Sequence, residues 1–476
     1  MERCDVVVVG GRLAGACAAA HFARLGRRTV VLDRSRFPSD QLSTHLMFPS
    51  GIDEWRRMGA LDGILALDPT KSPWLQLTAP DGTKVLERWR PVGDIDYCLC
   101  IPRPLQDLEL VKAARAAGAD VRERCDVTGV IWRGGRAAGV RYVDADGTDH
   151  ELRAKLVVGA DGRRSSIAGF VGAFRPYRAS RNGRGLVFRY LDDPRYDTPE
   201  GQVIFQFRDG DSLGMAFPSA PRGRMLALFM GPAGEASEAR KDPEGHWARK
   251  LAQHPGLAAR LEGATNMTKL RTTGDTTAFF RASSGPGWAL IGDAGHFKDP
   301  VIAQGQRDAL WTGRTVAEAA ADRLDDPGAL DLALRCWEAS RDAECLHAWH
   351  FANIETVTRP VPAVLVEVFR EAARTPDPDI GDLFGRTRTM PEVLPVTRLV
   401  RAFGRALRHR DGPATAVVRD AVEDLGVQLR VRAELRRDAF RSSRLLPGSD
   451  HPEPHPPEPP RARPAAAPEP AAAVAG

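Results

Sequence analysis

A chain of 476 residues is too long for one simple core and predicts two packed domains with additions. Its formal charge of +5 is modest and owes much to an excess of arginine over lysine, so nucleic-acid binding is not expected. No segment approaches the roughly 18 uninterrupted apolar residues of a membrane span, and seven cysteines without a C-x-x-C pair predict reduced thiols in a cytoplasmic protein.

Val6 to Val9 is an unbroken apolar run, as in a parallel strand buried on both faces, and it feeds Gly10-Gly11-Arg12-Leu13-Ala14-Gly15 and an alanine-rich helix from Ala14 to Leu25. A tight turn there presents the free N–H groups of a helix start to a pyrophosphate, with Gly10, Ala14 and Gly15 small enough to permit it. Thr29 to Leu32 is the second strand, and Asp33 at its end has the spacing of a carboxylate that bonds a ribose hydroxyl. Arg34 follows it. Arg12 stands where such turns carry a second glycine and brings positive charge to the phosphates instead. Beyond the second strand, His45 is a candidate proton acceptor near the reaction centre.

Ile101-Pro102-Arg103 precedes a helix from Leu105 to Ala117, and Val127 to Leu152 reads as a β-meander. Leu156 to Gly162 is a strand ending in Asp161-Gly162, followed by a helix start at Arg163 to Ser166. Short strands at Gly185–Tyr190, Gln202–Phe207, Leu213–Pro218 and Met225–Met230 predict an antiparallel sheet. Trp288 to Ile291 is a buried strand with Asp293 just past its C-terminal end, where open α/β sheets bind ligands. Gln304-Gly305 opens a helix running to Ala320, and the pattern stays helical thereafter. Leu399, Val400, Phe403, Ala406 and Leu407 share one helical face, read as docking on the protein's own core. From Leu446 onward the Pro, Ala, Glu and His mixture predicts a disordered tail. Cys98 and Cys100 are read as core residues, and Cys345, His347 and His350 lack a recognised metal spacing, so no metal is expected.

Three segments in fixed order, Gly10 to Gly15, Gly159-Ala160-Asp161-Gly162, and Gly292-Asp293-Ala294-Gly295 with Asp299-Pro300, resemble the FAD signature of flavoprotein monooxygenases of the para-hydroxybenzoate hydroxylase fold. Asp33-Arg34 with Arg36 to His45, and Gly285 to Pro300 with Ala303-Gln304-Gly305, are similar to one bacterial branch of these proteins, in which arginine often replaces the second glycine. The resemblance implies an α/β fold with a Rossmann-like FAD-binding domain at 1–175 and 279–350, and an inserted antiparallel-sheet substrate domain at 176–278. A helical region at 351–445 and the tail at 446–476 complete it.

It further implies FAD as cofactor, NADH or NADPH as co-substrate, and hydroxylation or epoxidation of an organic small molecule with O2, in a setting of bacterial secondary metabolism. A carrier protein is one way such a substrate is presented. By resemblance Arg103 meets the FAD phosphate or ribitol, the main chain of Val127 reads the adenine edge, Asp161 touches FAD, and Asp293 holds the ribityl chain. Gln304 and Gly305 face the flavin pyrimidine edge, and Pro300 joins His45 as a catalytic candidate. Ala303 replaces a frequent glycine and Arg307 a frequent asparagine. The alternatives are a double-bond reductase of the geranylgeranyl-reductase type and a cyclase that keeps FAD as structure. A halogenase is disfavoured by the lack of a Trp-x-Trp-x-Ile-Pro segment.

Overall fold

The computed structural model describes residues 2–40, 42–43, 46–181, 183–375, 379–409 and 412–443. His45 and the predicted tail at 446–476 lie outside the described residues. The first layer is a six-stranded sheet in the order Ser284–Gly285, Trp288–Leu290, Leu156–Gly159, Val6–Val9, Thr29–Asp33 and Asp120–Glu123. Its central strands are parallel and in step, with Val9 opposite both Gly159 and Leu32 and Gly159 opposite Leu290. That register brings the three glycine segments to one edge, at the carboxyl ends of the strands. The strand expected to reach Gly162 stops at Gly159, and the next helix starts at Ser166, where Ser165 accepts the Ala168 N–H as a cap.

The helices Leu13–Arg24, Arg103–Ala116 and Gly305–Ala320 cover one face of this sheet, and their apolar sides form one core with it. The expected meander forms as the antiparallel strands Asp126–Arg133, Arg136–Val143 and Asp149–Arg153, with Glu2–Arg3 added at its edge.

The antiparallel sheet is larger than its sequence segments announced. Leu186–Asp192, Val203–Asp209, Ser212–Pro218 and Arg224–Met230 are joined by Arg271–Thr273 at one edge and by Trp74–Thr78 and Lys84–Arg88 at the other. Residues 74–88, assigned from sequence to the nucleotide domain, join this sheet instead, Trp74–Thr78 pairing with Val203–Asp209 and Lys84–Arg88 with Trp74–Thr78. Their burial alternates along both strands, the period-2 pattern of a sheet with one solvated face rather than of a doubly buried parallel strand.

Helices Pro327–Glu355, Ala363–Ala372, Ile380–Gly385, Val396–Arg408 and Ala414–Ser443 make up the C-terminal region. Ala402 and Ala406 of the Val396–Arg408 helix are buried, with Leu399, Phe403 and Leu407 partly so, and they pack into a core shared with the seven-stranded sheet. The amphipathic face therefore docks on the protein itself, but Val400 remains 62% exposed. All seven cysteines are unpaired, and burial pushes the Cys100 thiol up to about 12.

Arg184 ties this region to the sheet. Its buried guanidinium donates to the carbonyls of Asp211 and Met230 on the sheet side and of Glu355 and Val357 at the end of the long helix, at 2.6–3.0 Å. Arg184→Met keeps the stem but strands several carbonyls, so we expect a loss of about 3 kcal/mol in urea unfolding.

Candidate functional site

At the strand ends the backbone comes into near contact with itself. Gly10 has φ +100°, and a Cβ there would lie 2.4 Å from the Ala160 carbonyl oxygen; a Cβ on Gly15 would lie 1.7 Å from the Gly10 oxygen. Only glycine fits at either position. The Gly11 N–H donates to Asp33 Oδ2 at 2.6 Å and the Ser35 N–H to Oδ1 at 2.7 Å, which fixes the buried Asp33 carboxylate beneath the turn. Arg34 is exposed on the adjoining bend, and Val127 is buried on a neighbouring strand.

Arg12, the residue before the first helix, reaches across to Asp107 at 2.6 Å and to Ser39, with its guanidinium 5.6 Å from the Phe37 ring centre. Arg103 holds the same Asp107 through two bonds of 2.9 Å. Asp107 is fully buried, so one carboxylate orients two guanidiniums and leaves one net positive charge beside a helix N-terminus, an environment suited to a pyrophosphate. Sequence reasoning passed over Asp107, although its place four residues after Arg103 on one helix was a usable signal.

Asp161 turns Oδ2 to the N–H groups of Ser166 and Ile167, while Oδ1 is buried without a hydrogen-bond partner among the described residues. Arg163, two residues on, pairs with Asp275 at 3.1 Å and lies 4.3 Å from the centre of the Phe297 ring. Asp293 follows Gly292 at the end of its strand and is half-buried. Burial raises its carboxyl to about 6, against the opposing pull of Arg163, Arg103 and Lys298.

The next segment is tied together by one carboxylate. Asp299 accepts the Val301 N–H at 3.0 Å and the hydroxyls of Thr276 and Thr356 at 3.2 and 2.6 Å, anchoring the single turn that Pro300 opens. Pro300 has no proton to exchange, so it shapes this turn. Ala303 closes the turn at φ 53°, ψ 33°, the left-handed conformation that explains why glycine is frequent there. Gln304 is buried, with its side-chain N–H on the Phe384 carbonyl and its Oε1 without a partner among the described residues. Gly305 then starts its helix, and a Cβ on it would meet open space.

Behind this helix start lies a charged cluster. Lys298 pairs with Asp308 and stands 3.2 Å from His296 Nε2, while Asp308 also faces Arg386 and Arg307. Burial pushes the Lys298 ammonium down to about 7. His296, Asp308 and Cys345 could converge on a cation, but three basic side chains already neutralise Asp308. Arg307, at the asparagine position, also pairs with Glu344 at 2.8 Å.

These parts fit FAD. Asp33 and the glycine turn suit its adenosine and pyrophosphate end, the Asp293 carboxylate its sugar-alcohol chain, and the open helix start at Gly305 a group that gains negative charge on reduction.

Two substitutions test this geometry in the ligand-free protein. A carboxyl raised from 3.8 to about 6 stabilises the fold when protonated, and that contribution is lost as pH rises through this window. Asp293→Asn should therefore raise stability by about 2 kcal/mol at pH 8 and leave it unchanged near pH 3, measured by urea unfolding across pH. Ala303→Gly relieves left-handed strain and should stabilise by about 0.5–1 kcal/mol, read as a rise in thermal midpoint.

Comparison with known proteins agrees with this arrangement. The chain is 28% identical over 335 residues to the menaquinone reductase of Mycobacterium tuberculosis, covering 67% of this chain and 76% of that one. Its fold is similar to that of the myxobacterial chondrochloren halogenase, with TM-score 0.66, 19% identity and coverage of 85% and 98%. It is likewise similar to PqsL, a probable FAD-dependent monooxygenase of Pseudomonas aeruginosa, with TM-score 0.60, 18% identity and coverage of 78% and 97%. Residues 3–317 match the family described as FAD binding domain, and with its glycine turn, paired arginines and flanking carboxylates in place, the chain belongs to that family as an FAD-dependent oxidoreductase of the para-hydroxybenzoate hydroxylase fold.

Proposed function

We propose that this oxidoreductase saturates a carbon–carbon double bond of an apolar small molecule at the expense of NADH or NADPH. The observation that carries this reading is the similarity to a menaquinone reductase across two thirds of the chain, since the halogenase and PqsL likenesses speak for the fold. Bound FAD supplies the relay of hydride from the nicotinamide to the substrate. The chain's own residues do the rest: Gly10, Arg12, Ala14, Gly15 and Asp33 hold the adenosine and pyrophosphate end, with Arg34, Arg103, Val127 and Asp161 around it. Asp293 would hold the sugar-alcohol chain and so orient the ring, and Gln304 with Gly305 would face the ring edge. The seven-stranded sheet and the C-terminal helices supply the dry wall that keeps water from the reacting atoms.

A second reading is oxygenation, in which an organic small molecule is hydroxylated or epoxidised with NAD(P)H and O2. The resemblance of Asp33 to His45 and of Gly285 to Gly305 to a bacterial monooxygenase branch favours it. There His45 would serve as the proton acceptor, and Pro300 would shape the pocket. Menaquinone-4, NADPH and the FAD-loaded protein, incubated without oxygen and then under isotopically labelled O2, separate the two. A product formed under anaerobiosis that stays heavier by two hydrogens after any quinol is reoxidised to the quinone supports reduction of a double bond; a product that forms only in air and carries the label overturns it in favour of oxygenation.

Gly305 tests the orientation common to both readings. Because its Cβ position is open, Gly305→Asp adds a carboxylate at the helix start without a clash. We expect FAD to stay bound and its reduction potential to fall by on the order of tens of millivolts in spectroelectrochemical titration, because the new charge opposes the negative charge of reduction. An unchanged potential would show that this helix does not face the ring.

A further inference from the structure

The C-terminal helices enclose a cavity of about 420 Å³, within the size range of small-molecule sites. Apart from Arg208 it is lined by residues 351–428, beyond the family match at 3–317, so the kinship does not account for it. Its wall is aliphatic and aromatic, with Phe351, Val368, Phe384, Leu394 and Phe403 among the lining residues.

Most polar groups at its margin are engaged, although Arg208 Nε is buried without a hydrogen-bond partner among the described residues. Arg208 pairs with Glu355 at 2.7 Å, and Arg359 with Asp424. Asn353 accepts the Ser180 hydroxyl at 2.6 Å, and the Gln428 side-chain N–H points to Met390 sulfur at 3.1 Å. A water molecule needs two to four polar partners, which such a wall does not offer, and a carboxylate ligand would meet arginines whose charge is already neutralised.

Two parts of the lining differ in their surroundings. Phe384 stands edge-on to Phe351 at 5.4 Å, and its carbonyl accepts the side-chain N–H of Gln304, the residue before the Gly305 helix. Elsewhere in the lining Val400 and Val422 are 62% and 65% exposed, so apolar side chains border solvent there. The chain's own C-terminus is a poor filler, since after Leu446 the sequence holds one branched aliphatic residue, Val474.

We propose that this cavity binds a single neutral hydrocarbon chain, alkyl or prenyl, carried by the substrate. The proposal rests on the oxidoreductase reading only in assigning the chain to the substrate. Binding is measured without turnover, so the two can fail separately.

The test uses the full-length, FAD-loaded protein and the fluorescence of cis-parinaric acid methyl ester, beside that of the free acid. Saturable one-to-one binding of the ester, at least tenfold tighter than the acid, is expected. Displacement by linear alcohols from octanol to dodecanol should strengthen about threefold per added methylene. Ala421→Trp, which fills the cavity, and Val422→Trp, which adds bulk where its lining borders solvent, should each weaken ester binding at least tenfold while FAD absorbance and circular dichroism persist. Several results would overturn the proposal: no saturable binding, acid preferred over ester, no dependence on alcohol length, or undiminished binding in a folded, FAD-loaded variant. Ester binding that declines as protein concentration rises would place a second copy in the cavity and overturn it equally.

Discussion

The near contact between the Gly10 turn, the Ala160 carbonyl and the start of the first helix is the constraint from which the site follows. Two missing side chains let backbone approach backbone where any Cβ would collide. That approach seats the helix N-terminus at the carboxyl edge of the sheet. The in-step register of the parallel strands then carries Asp33, Asp161 and Asp293 to the same edge, although they lie far apart in the chain.

Charge is arranged around that edge with an economy that burial enforces. Asp107 is shared by Arg12 and Arg103, so neither guanidinium is left without a carboxylate, and the trio keeps one net positive charge. Asp308 serves Lys298, Arg307 and Arg386 in the same way behind the Gly305 helix. Asp293 is different. Its raised carboxyl records the cost of holding a desolvated acid in the ligand-free protein, a cost that hydrogen bonds from a bound sugar-alcohol chain would offset.

How much of this was legible in the sequence depended on whether the signal was local. The valine run, the glycine turn and the helix from Gly305 each carry their period or their turn chemistry within a few residues, and they form as read. Ala303 stood out against a glycine pattern, and its left-handed backbone supplies the reason. Residues 74–88 were misassigned because a short alternating strand does not say which sheet it joins; pairing with Val203–Asp209 decided that. Asp107 and Asp308 went unread for a related cause, since a carboxylate's importance lies in which distant arginines reach it.

The sequence by itself determined the fold family, the order of the nucleotide-contacting segments and the positions where only glycine serves, because these rest on backbone geometry written in adjacent residues. Tertiary structure alone decided the sharing of Asp107, the ties made by Arg184 and the apolar cavity among the last helices. Each of those depends on side chains brought together from separate elements, and the shape of the space between helices is set by how they cross, which no single helix encodes.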